Sequence, residues 1–180
     1  MRKLTNAEIV ERQHQRSPRT RLPFAVILND IRSLHNVGSI FRTCDGVGVR
    51  KIWLCGITGY PPDQRLAQTA LGAERHVPWE YREDVIALLG DLKADGYQII
   101  LLEQMAESLS YDIFLPRPPV CLIVGNEIEG VSSEIIPLCD AAIDIEMAGV
   151  KNSLNVSVAF GVAACHLRSC LIKNDGLNFV

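Results

Sequence analysis

Unbroken apolar runs alternate along the chain with stretches whose apolar residues recur at helical spacing. Residues 23–30, PFAVILND, are apolar throughout and bounded by Pro and Asp, the pattern of a strand buried on both faces. Asn36 to Val47 has the spacing of an amphipathic helix, with Asn36 at the position of an N-cap. Lys51 to Cys55 predicts a second strand, GYPPDQR (59–65) a loop, residues 63–71 a short helix and His76 to Tyr81 a further strand. A helix is expected over Glu83 to Ala94, stopped by Gly96. YQIILLE (97–103), PVCLIVG (119–125) and AAIDIEM (141–147) complete the strands. Ser132 to Leu138 reads as a short helix, and the last long helix is expected from about Leu154 to about Ile172. Ahead of all these, Thr5-x-x-Glu8 has the form of a capping box that opens a short helix over 6–16, which SPRTRLP (17–23) then breaks.

Strands alternating with helices predict an α/β fold, a mainly parallel sheet flanked by helices on both faces. Ligands of such sheets bind beyond the carboxyl ends of the strands. The loops after Asp30, Glu103, Gly125 and Met147 are therefore where chemistry is expected.

Composition narrows the class. At 180 residues, 48% hydrophobic and 22% charged, the chain suits one folded domain of ordinary size and excludes a wholly disordered one. No apolar run approaches the ~20 residues that span a bilayer, and the N-terminus carries no apolar segment of a secretory signal. The six cysteines form no C-x-x-C pair and no paired zinc spacing, so they are expected as buried free thiols in a reducing cytosol, and no metal is expected. His14, His35 and His76 have no partner spacing either, and Trp53 and Trp79 are expected to serve packing, not base stacking.

Charge distribution says more than the net value of -3. Residues 1–21 hold six basic and two acidic side chains, +4, and the remainder holds 12 basic and 19 acidic, -7. A basic arm on an acidic body suits contact with a phosphate backbone, and equally a solvated terminus.

Two familiar nucleotide motifs fail. Gly125 to Ser132 matches the phosphate-loop spacing, but Val131 stands where the lysine belongs, and Glu127 and Glu129 would repel a triphosphate. Gly46-x-Gly48 begins a dinucleotide fingerprint, yet Lys51 takes the third glycine position and the segment precedes a strand. Three other loops remain. The first carries Asn36, Gly38 and Arg42. The second, IVGNEIEGV, has Gly125 and Gly130 for close backbone approach. The third, IEMAGVKNSLNVSVA, brings Ser153, Asn155 and Ser157 to the start of an otherwise apolar helix. Each alone reads as a cap or a turn; all three at strand carboxyl ends favour one site.

These loops, N-V-G-S-I-F-R-T (36–43), V-G-N-E-I-E-G-V (124–131) and I-E-M-A-G-V-K-N-S-L-N-V-S-V-A (145–159), resemble the three motifs of the SpoU/TrmH family of SPOUT RNA methyltransferases, over about residues 23–170. The resemblance implies a C-terminal deep trefoil knot, which general topology rules disfavour. It implies a homodimer, formed through the C-terminal helix, with His166 packed or interfacial. It also implies an S-adenosylmethionine site and transfer of its methyl to a ribose 2′-hydroxyl of RNA, leaving S-adenosylhomocysteine. Carried over by position, Arg42, Asn36, Ser153, Asn155 and Glu127 are the polar catalytic positions. Leu102, Glu103, Gly125, Asn126, Glu127, Gly130, Ile145, Met147, Ser153 and Leu154 are the cofactor-binding positions, with Gln104 at the border.

The division implied is a basic extension (1–22), a methyltransferase domain (23–173) and a tail (174–180) in a cytoplasmic protein with no membrane contact. The short extension is closer to the arms of tRNA-directed members. That favours tRNA over rRNA, with a non-catalytic dimeric RNA-binding module as the alternative.

Overall fold

A computed structural model describes residues 1–15 and 21–174. The arm residues Arg16 and Arg19, most of the SPRTRLP break and nearly all of the 174–180 tail lie outside the described residues. The apolar run at 23–30 becomes strand β1 (Phe24–Asn29), in which every residue is buried. It is flanked by β2 (Lys51–Cys55) and β6 (Val120–Val124), both parallel to it, so that Val26 lies between Ile52 and Leu122. With β3 (Trp79–Arg82), β4 (Gln98–Leu102), β5 (Leu109–Ser110) and β7 (Ala141–Asp144), the sheet has seven parallel strands in the order β3-β2-β1-β6-β4-β7-β5.

Burial on both faces explains the unbroken apolar runs. Phe24, Val26, Leu28, Leu122 and Val124 face a core shared with α2 (Leu34–Val47), α3 (Gln64–Ala70) and α5 (Val156–Asn174). Ala25, Ile27, Cys121 and Ile123 face the opposite core, which Leu88, Leu89 and Leu92 of α4 (Val85–Ala94) close. Each large side chain so buried contributes about 1.5–3 kcal/mol. The cysteines are all free. Burial pushes the Cys55 thiol up to about 12 and raises Cys44 and Cys121 as well, so these are packing groups, not nucleophiles.

Helix α3 sits close on α2 because Gly38 has no side chain. A Cβ there would lie 2.2 Å from the Leu66 carbonyl oxygen and 2.2 Å from Thr69 Oγ1. Thr69 Oγ1 also donates to the His35 carbonyl at 2.9 Å, tying the two helices where α2 begins.

Helix α1 (Asn6–Gln15) starts with the capping box. The Thr5 amide donates to Glu8 Oε2 at 2.7 Å, the Glu8 amide donates to Thr5 Oγ1 at 3.3 Å, and Arg2 pairs with the same carboxylate. Arg21, counted with the arm, is engaged by the body, donating to the carbonyls of Val49 and His76.

Several boundaries differ from the sequence pattern. The N-cap of α2 is Ser33, whose Oγ accepts from the Asn36 amide at 3.3 Å; Asn36 is inside the helix and its side chain is released from capping. The segment expected as a helix over 132–138 keeps only a 3₁₀ turn, Ile136–Leu138, because Pro137 lacks the N–H an α-helix would use there. β7 stops at Asp144, where its neighbour β5 ends after two residues, so Ile145 to Met147 leave the sheet. β5 was too short to read. α5 begins at Val156, not Leu154: Asn155 Oδ1 accepts from the Ser157 amide at 2.9 Å, so Asn155, not Ser153, caps it.

Contrary to the expectation from apolar runs, α5 is long and apolar enough to cross a membrane by length and composition over Val156–Lys173. It serves as a core helix here, burying Phe160, Ala163, Ala164, Leu167 and Leu171.

Candidate active site

Four strands end side by side at the middle of the sheet, and the chain beyond three of them folds into one cavity of ≈ 570 Å³. Leu102 and Glu103 enter from β4, with Gln104 beside them. Gly125, Asn126, Glu127 and Gly130 enter from the loop after β6. Ile145 and Met147 follow β7, and Ser153, Leu154 and Asn155 lead into α5. Every position carried over as cofactor-binding therefore lines a single cavity.

Local backbone geometry makes the walls. Asn126 and Gly130 exchange two backbone hydrogen bonds of 3.0 Å, closing a tight loop. Asn126 Oδ1 accepts from the amides of Ile128 at 2.9 Å and Glu129 at 3.1 Å. Gly130 has φ +69, a conformation L side chains rarely adopt, and a Cβ on it would fall 2.3 Å from Glu103 Oε2 and push that carboxylate aside. A Cβ on Gly125 would meet Val131 Cγ2 at 2.4 Å. Gln104 Nε2 donates to the Asn152 carbonyl at 2.6 Å, holding the third loop over the cavity.

The loop after β1 is bound to this wall from outside. Asp30 takes a left-handed φ of 59, a conformation that costs a non-glycine residue energy unless its surroundings compensate. Its Oδ1 accepts from the Ile57 amide at 2.9 Å, and its carbonyl accepts from Asn126 Nδ2 at 2.9 Å. Asn36 Nδ2 donates to Glu127 Oε1 at 3.0 Å, and Asn155 Nδ2 donates to Asn36 Oδ1 at 3.2 Å. The Arg32 amide donates to Glu127 Oε2 at 3.3 Å. Asn36, Glu127 and Asn155, one from each motif, thus form a chain of hydrogen bonds across the cavity rim. Partial burial pushes the Glu127 carboxyl up, but the Asn36 amide and nearby backbone N–H groups outweigh it and hold the group below its ordinary value.

Arg42 is not brought in. It lies two turns beyond Asn36, about 9 Å along the α2 axis. It is exposed and outside the cavity lining, and its side chain makes no hydrogen bond or ion pair with a described residue. Asp30, Asp144 and Asn152 were not singled out from sequence. Asp144 carried a signal, a polar residue inside an apolar strand pattern; a residue like Asn152, placed by its backbone carbonyl, leaves none.

The cavity lining holds three carboxylates, Glu103, Glu127 and Asp144, and no lysine or arginine. That electrostatic character suits a ligand with positive charge and disfavours a polyphosphate. The volume lies in the range of small-molecule sites, and the glycine-walled loop presents backbone to the ligand. S-Adenosylmethionine, a sulfonium cation with an adenine that backbone groups can hydrogen-bond, fits these residues. Among the described residues no group of three His, Cys, Asp or Glu side chains is placed to hold a metal ion.

Comparison with known proteins points the same way. The profile of the SpoU rRNA Methylase family matches residues 23–165. A tRNA (guanosine(18)-2′-O)-methyltransferase of Aquifex aeolicus is 34% identical over 137 residues, 76% of this chain and 64% of that protein. The chain thus spans less than two thirds of that relative. The crystal structure of the A. aeolicus TrmH/SpoU tRNA modifying enzyme superposes with a TM-score of 0.80 at 28% identity, covering 94% of this chain and 85% of that one. An AdoMet-bound rRNA methyltransferase from Sinorhizobium meliloti superposes with a TM-score of 0.77 at 28% identity, covering 85% of this chain and 60% of that one.

Proposed function

Because the chain belongs to the SpoU rRNA methylase family, we propose that it is an S-adenosylmethionine-dependent RNA 2′-O-ribose methyltransferase, acting on tRNA in preference to rRNA. The observation that carries this reading is the single cavity, walled by carboxylates and glycines, onto which Asn36, Glu127 and Asn155 converge from three motifs. Relatives named for tRNA and for 23S rRNA ribose methylation support the reaction class, and an AdoMet-bound relative supports the cofactor.

When bound, the cofactor supplies an activated methyl group, so the chain's own task is alignment and charge. Glu103, Glu127 and Asp144 give the cavity the negative potential that favours a sulfonium. The Asn36–Glu127–Asn155 chain fixes the rim where the ribose enters, and such alignment supplies up to about 7–11 kcal/mol of rate enhancement. A guanidinium is a poor base, so the role assigned to Arg42 is electrostatic and not proton abstraction. Exposed and outside the cavity, Arg42 grips an RNA phosphate beside the ribose, and the hydroxyl proton leaves through phosphate or water.

The finer architecture belongs to the same proposal: a trefoil knot in the C-terminal half and a homodimer through α5. An exposed apolar surface supports the dimer. Val158 is 51% exposed on α5, and Ile113 and Leu115, 68% and 76% exposed, flank Phe114, whose carbonyl bonds His166 Nε2 on the same helix.

Methyl transfer from labelled S-adenosylmethionine to separated tRNA and rRNA, followed by nucleoside mass spectrometry, tests the reaction. A 2′-O-methylated nucleoside in the tRNA fraction is expected. Methylation of rRNA alone overturns the tRNA preference, and cofactor binding with no transfer to either makes the chain a binding module. Glu127→Gln is expected to lower turnover on the order of 10-fold or more, and Arg42→Lys to lose the planar fork and most activity; near-normal turnover in the lysine variant removes the role given to Arg42.

A further inference from the structure

The rim of the cavity is set by polar side chains, yet the residue next to one of them is apolar. Ile128 follows Glu127 in the loop after β6, lines the same cavity and is 78% exposed. Single apolar residues are common on protein surfaces and mean nothing by themselves. This one is set apart by how firmly it is held and by where it stands. Asn126 Oδ1 accepts from the Ile128 amide at 2.9 Å, the Asn126–Gly130 pair closes the loop, and Asn126 Nδ2 ties it to the Asp30 carbonyl. The backbone that carries Ile128 is therefore ordered before any ligand arrives, which lowers the cost of a contact there. Burial divides the apolar lining into floor and mouth. Val124 is buried, and Leu102, Ile145 and Met147 are half-buried. Ile128 is twice as exposed as Leu154, the other exposed large apolar residue of the lining, at 38%. The enclosed floor suits the adenine of the cofactor, whereas Ile128 stands at the mouth, where the second reactant comes in.

The charges around Ile128 narrow what can cover it. Glu127 precedes it and Glu129 follows it, both exposed, so a phosphate is repelled from this point of the rim. The neutral, flat part of a ribonucleotide is its base. One glycosidic bond joins the base to the ribose, so a ribose held at the Asn36–Glu127–Asn155 rim sets its base within a ring's reach of the residues beside that rim. We propose that Ile128 is a substrate contact, against which the base of the methylated nucleotide lays its face. The inference rests on the RNA-methyltransferase reading for its substrate class. Covering an exposed isoleucine with a base face removes apolar surface of both partners from water. Every base has such a face, so the contact positions the ribose without selecting the base. Any preference for one nucleotide then comes from other parts of the RNA.

The test uses the full chain saturated with S-adenosylhomocysteine and needs no methyl transfer. Its probes are single-stranded oligoadenylate and an abasic oligomer of the same length. Ile128→Trp puts an indole at the mouth, and its fluorescence, read as the difference from wild type because Trp53 and Trp79 also emit, reports a stacked base. Oligoadenylate is expected to quench that signal and the abasic oligomer to leave it unchanged. Affinity for oligoadenylate is expected to fall roughly 5-fold or more in Ile128→Ser and to rise in Ile128→Trp, since an aromatic ring stacks better than an aliphatic chain. S-Adenosylmethionine affinity is expected to stay unchanged in both variants, which also shows an intact fold. Altered cofactor affinity assigns Ile128 to the cofactor and overturns the proposal. Equal quenching by the abasic oligomer overturns it too, and a changed sedimentation coefficient in both variants reassigns the side chain to a subunit contact. Wild-type methylation of RNA with oligoadenylate affinity unaltered in both variants removes the base contact and leaves the reaction standing. Base-dependent quenching in a protein that methylates no RNA upholds the contact and removes the reaction.

Discussion

Asn36 shows how one side chain is given to chemistry by its neighbour. Ser33 takes the capping role at the start of α2, so the Asn36 amide can bridge Glu127 and Asn155. Sequence spacing placed the residue correctly on the helix but assigned the cap one turn late, since both residue types cap well. Gly130 is the opposite case, legible as a second glycine, five residues after Gly125, in a loop that follows a strand, where close backbone approach was expected. Its Cβ would push the Glu103 carboxylate out of place in the cavity wall and strain the backbone at φ +69, so Gly130→Ala is expected to weaken S-adenosylmethionine binding about tenfold or more. Isothermal titration with the cofactor checks this, and unchanged affinity would show that the loop is dispensable. What sequence could not convey at this scale is Asp30, whose left-handed backbone and grip on the 126–130 loop depend on a partner 96 residues away.

Elements were read more reliably than their ends. Both-face burial makes β1, β2, β4 and β6 continuous apolar words, whereas β5, with two residues, has no period to detect. The close approach of α3 to α2 depends on Gly38. Gly38→Ala is expected to force the helices apart and cost about 1–3 kcal/mol, read as a lower urea midpoint. At the N-terminus, the Arg2 guanidinium and the Thr5 amide and hydroxyl hold the Glu8 carboxyl down to about 2, against an ordinary 4.5. A depressed carboxyl stabilises the folded form above its ordinary value and loses that contribution as pH falls through the depressed one. The start of α1 is thus expected to persist below pH 4.5 and fray toward about 2, and to fray earlier in Arg2→Ala, as amide chemical shifts of residues 6–15 would report.

For the whole molecule, α/β class and parallel strands follow from alternation alone, and the sheet bears this out. Strand order does not follow, because nothing in the pattern of residues 119–125 says that this strand inserts beside β1 and not beside β5. The proposed dimer is tested at this scale. Val158→Glu places a charge in the exposed apolar face of α5 and is expected to yield monomers in sedimentation, with the cavity intact. A wild-type monomer, or a dimer indifferent to the change, would exclude α5 as the interface.

The hydrogen bonds that join the three motifs span 91 and 119 residues of chain. They also impose a timetable on biosynthesis. At ~5–20 residues per second, Asn36 leaves the ribosome's active centre on the order of 6–24 s before Asn155 is made. Through that interval the polypeptide holds its first motif without the groups that give it a use. A nascent chain therefore lacks the joined rim until its third motif has been translated, and products of abortive synthesis that stop before Asn155 inherit that lack.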